Sequence, residues 1–127
     1  MRAWLYVALG GALGSMARYA MATALPWLPG RWPLATMSVN LIGSLLIGIL
    51  SVALGLRVGG PDLARLFWLT GVLGGFTTYS AFALETTLMV ESGASLRALG
   101  YLLVTVIGCF AAALAGRVLG AWLSGET

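Results

Sequence analysis

Charge is missing from long stretches of this chain, and that absence limits its folds more than any motif does. Between Arg2 and Arg31 the one charged residue is Arg18, and residues 32–56, 66–84 and 98–116 carry none. A helix needs about 20 apolar residues to cross the hydrocarbon core of a bilayer. The blocks fit helices over roughly 3–25, 34–56, 66–90 and 97–122. They are rich in Leu, Ala and Gly and lack the two-residue alternation of barrel strands. The expected class is an all-α membrane protein, a single four-helix membrane domain spanning 1–127. The apolar run at the N-terminus continues past the core of a signal peptide and three more blocks follow, so it reads as the first span.

Composition agrees and excludes several functions. Of 127 residues, 60% are hydrophobic and 9% charged, against about 25% charged in soluble domains. All seven basic residues are single, scattered arginines, so no basic cluster exists to bind nucleic acid. There is no His, which removes the commonest general base and metal ligand. No nucleophile–base pair, metal cluster or phosphate loop is visible, and an enzyme is not expected. The one cysteine, Cys109, cannot close an intramolecular disulfide.

The connections are short. "PWLPGRWP" (26–33) suits an interfacial turn, "RVGGPDLAR" (57–65) is a Gly-Pro turn in which Asp62 can cap the next helix, and "ESGAS" (91–95) is a tight polar turn. Four spans place both termini on one side. Arg2, Arg57, Arg65 and Arg117 then lie near that side and Arg31 and Arg97 near the other, a weak positive-inside bias. Two readings stay open: a fixed topology with cytoplasmic termini, and a chain that inserts both ways and pairs with its inverted copy. Gly10 and Gly14, Gly71 and Gly75, and Gly116 and Gly120 are small-xxx-small pairs suited to close helix packing.

Polar groups inside these blocks need partners or water, which makes them functional candidates. Arg18 either snorkels to an interface or holds positive charge at a vestibule that attracts anions. Thr36 and Asn40 are four apart on one helix face, and an Asn amide demands both donors and acceptors. In "GGFTTYSAF" (74–82), glycines and hydroxyls interrupt a span. Either the helix breaks there, freeing carbonyls that can hold an ion, or it packs tightly with its hydroxyls bonded backward. Tyr79, Phe82 and Glu85 share one side of the resumed helix, with Ser80 between the aromatics. Tyr101, Thr105 and Cys109 form a stripe on the last span. Donors outnumber intramembrane carboxylates, of which Glu85 is the one candidate, and ring edges are positive. The balance favours an anion over a cation as the transported species.

"GGALGSMARY" (10–19), "ATMSVNLIGSLLIG" (35–48) and "GVLGGFTTYSAF" (71–82) closely resemble the signatures of the CrcB/Fluc family of fluoride channels. The resemblance covers essentially the whole chain. It implies a multi-pass inner-membrane protein that exports cytoplasmic fluoride passively, as an antiparallel, dual-topology homodimer. It also implies a structural sodium ion at the dimer interface, held by main-chain carbonyls that fall on Gly74 and Thr77. The vestibule arginine falls on Arg18 and the pore asparagine on Asn40. The paired aromatics fall on Tyr79 and Phe82, with Ser80, Thr36, Tyr101, Thr105 and Glu85 at pore or polar-track positions. The chain departs from the family pattern at Tyr79 (usually Phe), Ala81 (usually Thr), Ala35 (commonly Gly) and Cys109 (often Ser). Two rivals remain at this level. A small multidrug exporter should carry a carboxylate in its first span, where this chain has Arg18. A non-transporting assembly subunit would not need the break, the Asn and the aromatic pair together.

Overall fold

A computed structural model describes residues 2–55 and 62–125. Arg57 and the Gly-Pro turn at 57–61 lie outside the described residues. The described chain is all-helical. Helix α1 is Arg2–Ala24 and α2 is Leu34–Ala53. The third segment, α3, runs over 63–76, as Leu63–Arg65, a wide π-helical stretch Leu66–Leu73, and Gly74–Phe76. After a two-residue interruption come α4, Tyr79–Glu91, and α5, Ser95–Ser124. No strand occurs among the described residues.

Helices α2 and α5 are long and apolar enough to cross a membrane. Helices α3 and α4 are too short singly, because the interruption divides the block they share. Local chemistry sets the ends. The Asp62 side chain accepts from the Ala64 amide at 2.9 Å, capping α3. Gly93 turns the chain from α4 to α5 with φ +78°, a conformation that disfavours side chains. In the 26–33 turn, the Trp27 indole donates to the Arg31 carbonyl at 2.8 Å.

Glycines decide which helices pair. Helix α1 lies against α3, and a methyl added at Gly10 would sit 3.0 Å from the Gly71 Cα. One added at Gly75 would meet the Gly11 carbonyl oxygen and come within 3.1 Å of the Ser15 nitrogen. Helix α2 lies against α5, where a methyl at Gly116 would sit 3.1 Å from the Gly48 Cα. Backbones touch at these crossings, as expected where lipid offers little hydrophobic drive and van der Waals contact must hold helices together. The buried cluster of Phe82, Met89, Ala98 and Tyr101 joins α4 to α5.

Candidate functional site

The interruption of the third block is narrower than the "GGFTT" string suggests. Gly74 and Gly75 stay helical, and at Gly75 the missing side chain admits the close approach of α1 at Gly11 and Ser15. Only Thr77 (φ −81°, ψ 158°) and Thr78 (φ −150°, ψ 119°) are extended. The wide turn Leu66–Leu73 just upstream was not foreseen from sequence. Such turns often accompany functional sites.

Each side of the break is held by a different element. The Thr77 amide and hydroxyl both donate to the Leu73 carbonyl, at 3.0 and 2.9 Å, and close α3. The Thr78 hydroxyl accepts from the Ala81 amide at 3.2 Å and caps α4. From α2, the Asn40 side chain pairs with the Thr78 backbone twice. Its Nδ2 donates to the Thr78 carbonyl at 2.9 Å, and its Oδ1 accepts from the Thr78 amide at 2.8 Å. From α1, the Arg18 Nε donates to the Gly75 carbonyl at 3.0 Å. Arg18 therefore reaches inward to the broken helix instead of snorkelling outward.

This wiring frees backbone acceptors. In an unbroken helix the Thr78 amide would serve Gly74 and the Ala81 amide would serve Thr77. Here they go to Asn40 and to the Thr78 hydroxyl. The Gly74 and Thr77 carbonyls are left without those partners, as carbonyls available to a cation must be.

A second polar knot lies about two helical turns along α4. Glu85 accepts from the Thr36 hydroxyl at 2.7 Å through Oε1 and from the Tyr101 hydroxyl at 2.8 Å through Oε2. One carboxylate thus ties α4 to both α2 and α5. The aromatics extend from the knot. The Tyr79 and Phe82 ring centroids are 5.9 Å apart and tilted by 57°, and those of Phe82 and Tyr101 are 5.1 Å apart at 56°. Tyr101 and Phe82 are buried, whereas Tyr79 is 80% exposed on the chain surface. Ser80 is exposed beside it, its hydroxyl 3.3 Å from that of Thr78.

Two cavities flank the break, and Thr78 lines both. The larger, about 430 Å³, is bounded by Asn40, Thr77, Phe82, Thr105 and Cys109 among others. Within its wall, the Thr105 hydroxyl is buried with no hydrogen-bond partner. The smaller, about 170 Å³, brings Arg18 together with Thr36 and Glu85. The candidates from α1, α2, α4 and α5 thus converge on one region; Tyr79 lines the larger cavity although it is largely exposed, and Ser80 is exposed beside it.

One contributor, Ser44, was missing from the residues singled out by sequence, and Thr78, one of the hydroxyls of "GGFTTYSAF", proves to be the pivot of the break and the cap of α4. Ser44 lines the larger cavity one turn from Asn40, so the same four-residue spacing would have found it.

Comparison with known proteins gives the family. A family model described as "CrcB-like protein, Camphor Resistance (CrcB)" matches residues 5–117. The chain belongs to the CrcB family. It is 51% identical over 123 residues to a protein of Anaeromyxobacter dehalogenans named fluoride-specific ion channel FluC, covering 95% of this chain and 97% of that one. A protein of the same name from Paracoccus denitrificans is 50% identical over 117 residues, covering 92% and 93%. One from a Caulobacter species is 47% identical over 117 residues, covering 91% of each. The break, both polar knots and the aromatic row all fall within the matched range of the CrcB family.

Proposed function

We propose that this chain is a fluoride-selective ion channel, not an enzyme, that lets cytoplasmic fluoride leave the cell passively across the inner membrane. The observation that carries the reading is the gathering of uncharged donors at a broken helix: the Asn40 amide, the Thr105 hydroxyl and the tilted rings of Phe82 and Tyr79. Fluoride is small and strongly hydrated, so a pore must replace its water with closely spaced donors. An unreplaced shell would cost many kcal/mol. Ring edges and neutral donors supply a substitute without the deep trap that a positive side chain in direct contact with the anion would create. Arg18, at the smaller cavity, raises anion concentration at the mouth of the path. The names of the relatives support the same reading.

The working unit in this proposal is an antiparallel homodimer of multi-pass chains. An 80% exposed Tyr79 next to exposed Ser80 leaves a polar, aromatic face of the broken segment uncovered, and a second inverted copy covers it. The freed carbonyls of Gly74 and Thr77 fit a hard cation such as sodium, which prefers oxygen ligands. Paired with their symmetry mates they supply four oxygens. Such an ion contributes fixed positive charge near an anion path.

Purified protein in liposomes, preloaded with fluoride and followed with a fluoride electrode, tests the function. Rapid efflux on addition of a potassium ionophore, with no comparable chloride efflux, is expected. Absence of fluoride-selective flux from monodisperse protein would overturn the proposal.

A further inference from the structure

Cys109 is the only thiol in the chain. It sits partly exposed in α5, one turn beyond Thr105, and lines the 430 Å³ cavity together with Asn40 and Phe82. Thr105, 3% exposed, lines the same cavity, and its hydroxyl has no hydrogen-bond partner. A buried hydroxyl left unpaired costs about 1–3 kcal/mol, so it marks a place where a bound species supplies the missing contact. The two side chains follow the helical spacing that puts neighbours on one face, so a soft sulfur and an unsatisfied hard oxygen are presented side by side.

We propose that Cys109 is a binding site for soft, thiophilic metal ions opening into this cavity, and that its occupation blocks the fluoride path. The blocking part rests on the channel reading above; the binding part does not. The chemistry is a ligand exchange. Neutral mercuric chloride partitions into the apolar spans, the Cys109 sulfur forms a bond to mercury, one Hg–Cl bond breaks, and the thiol proton leaves with the chloride. No oxidant is required. The thiolate is the metal ligand, and its formation releases a proton. The adduct places a heavy S–Hg–Cl group among Asn40, Phe82 and Thr105. Those are the donors an anion would use. A serine at this position would bind fluoride no worse and mercury hardly at all. This chain therefore has a sensitivity to soft metals that a serine-bearing relative lacks.

The test uses the full-length protein in liposomes, exposed to micromolar mercuric chloride and then to excess dithiothreitol. Intact mass and fluoride efflux are read on the same samples. The expected results are one mercury per chain, at least a tenfold fall in efflux relative to the same sample untreated, and recovery of both on adding dithiothreitol. In Cys109→Ser, neither the mass nor the efflux, relative to that variant's own untreated rate, should respond. No adduct at Cys109, an adduct with unchanged efflux, or equal inhibition of Cys109→Ser would each overturn the proposal. If untreated protein carries no fluoride, the channel reading fails, and the adduct mass still decides on the metal site by itself.

Discussion

Asn40→Asp is the sharpest perturbation of the break, because it changes chemistry with almost no change of shape. The Asn40 amide now makes two bonds to Thr78, at 2.9 and 2.8 Å. An Asp keeps the second, since a carboxylate oxygen still accepts from the Thr78 amide. It loses the first, because two acceptors then face each other at the Thr78 carbonyl. Loss of that bond costs about 1 kcal/mol. The larger effect is the charge. A carboxylate ~4 Å from a passing anion, in surroundings of effective dielectric ~20, raises the anion's energy by ~4 kcal/mol. At ~1.4 kcal/mol per factor of ten, flux should fall roughly a thousandfold. The assay is ionophore-triggered fluoride efflux from liposomes, with size-exclusion chromatography to confirm folding. Asn40→Ala serves as the comparison, since it removes both bonds and adds no charge. The reasoning is refuted if folded Asn40→Asp conducts within about threefold of the parent. Equal losses in the two variants would instead show that Asn40 acts only by holding the break.

Three further outcomes are expected. Gly14→Ala should destabilise the protein by about 1–3 kcal/mol through overpacking, since its methyl would lie 2.8 Å from the Phe76 nitrogen. Gly11→Ala, with open space around its position, should be neutral, and thermal melts in detergent compare the pair. Thr36→Val and Tyr101→Phe each remove one donor from Glu85 and should cost about 1–3 kcal/mol apiece. A double-mutant cycle of thermal stabilities should show them coupled through the shared carboxylate, and strict additivity would contradict that link. Exhaustive replacement of sodium by a large organic cation during purification should lower fluoride flux, with recovery on returning sodium. Flux indifferent to sodium would argue against a cation at Gly74 and Thr77.

Much of this architecture is legible in the sequence because the bilayer is a demanding solvent. Charge-free blocks of helical length, the Asp62 cap and the Gly-rich crossings follow from local rules. The interruption was visible too, but its extent was not. Gly74 and Gly75 look like helix breakers when read along the chain, yet both remain helical, and α1 packs directly on Gly75. Neither sequence reading of Arg18 named the contact it makes, with the Gly75 carbonyl. The wide turn Leu66–Leu73 has no marker in its residues.

By itself the sequence determined that the chain is apolar and helical, where its third block weakens, and which polar residues had to find partners. Those follow from the short-range cost of placing charges and bare peptide groups in hydrocarbon. Only the tertiary structure decided which partners they found. Asn40 meets Thr78 across 38 residues, Thr36 meets Glu85 across 49, and Arg18 meets Gly75 across 57. Those pairings depend on helix crossings set by backbone-to-backbone contact at glycines, and no spacing along the chain encodes them. The same crossings leave the Thr105 hydroxyl unpaired in the wall of the cavity that Cys109 also lines.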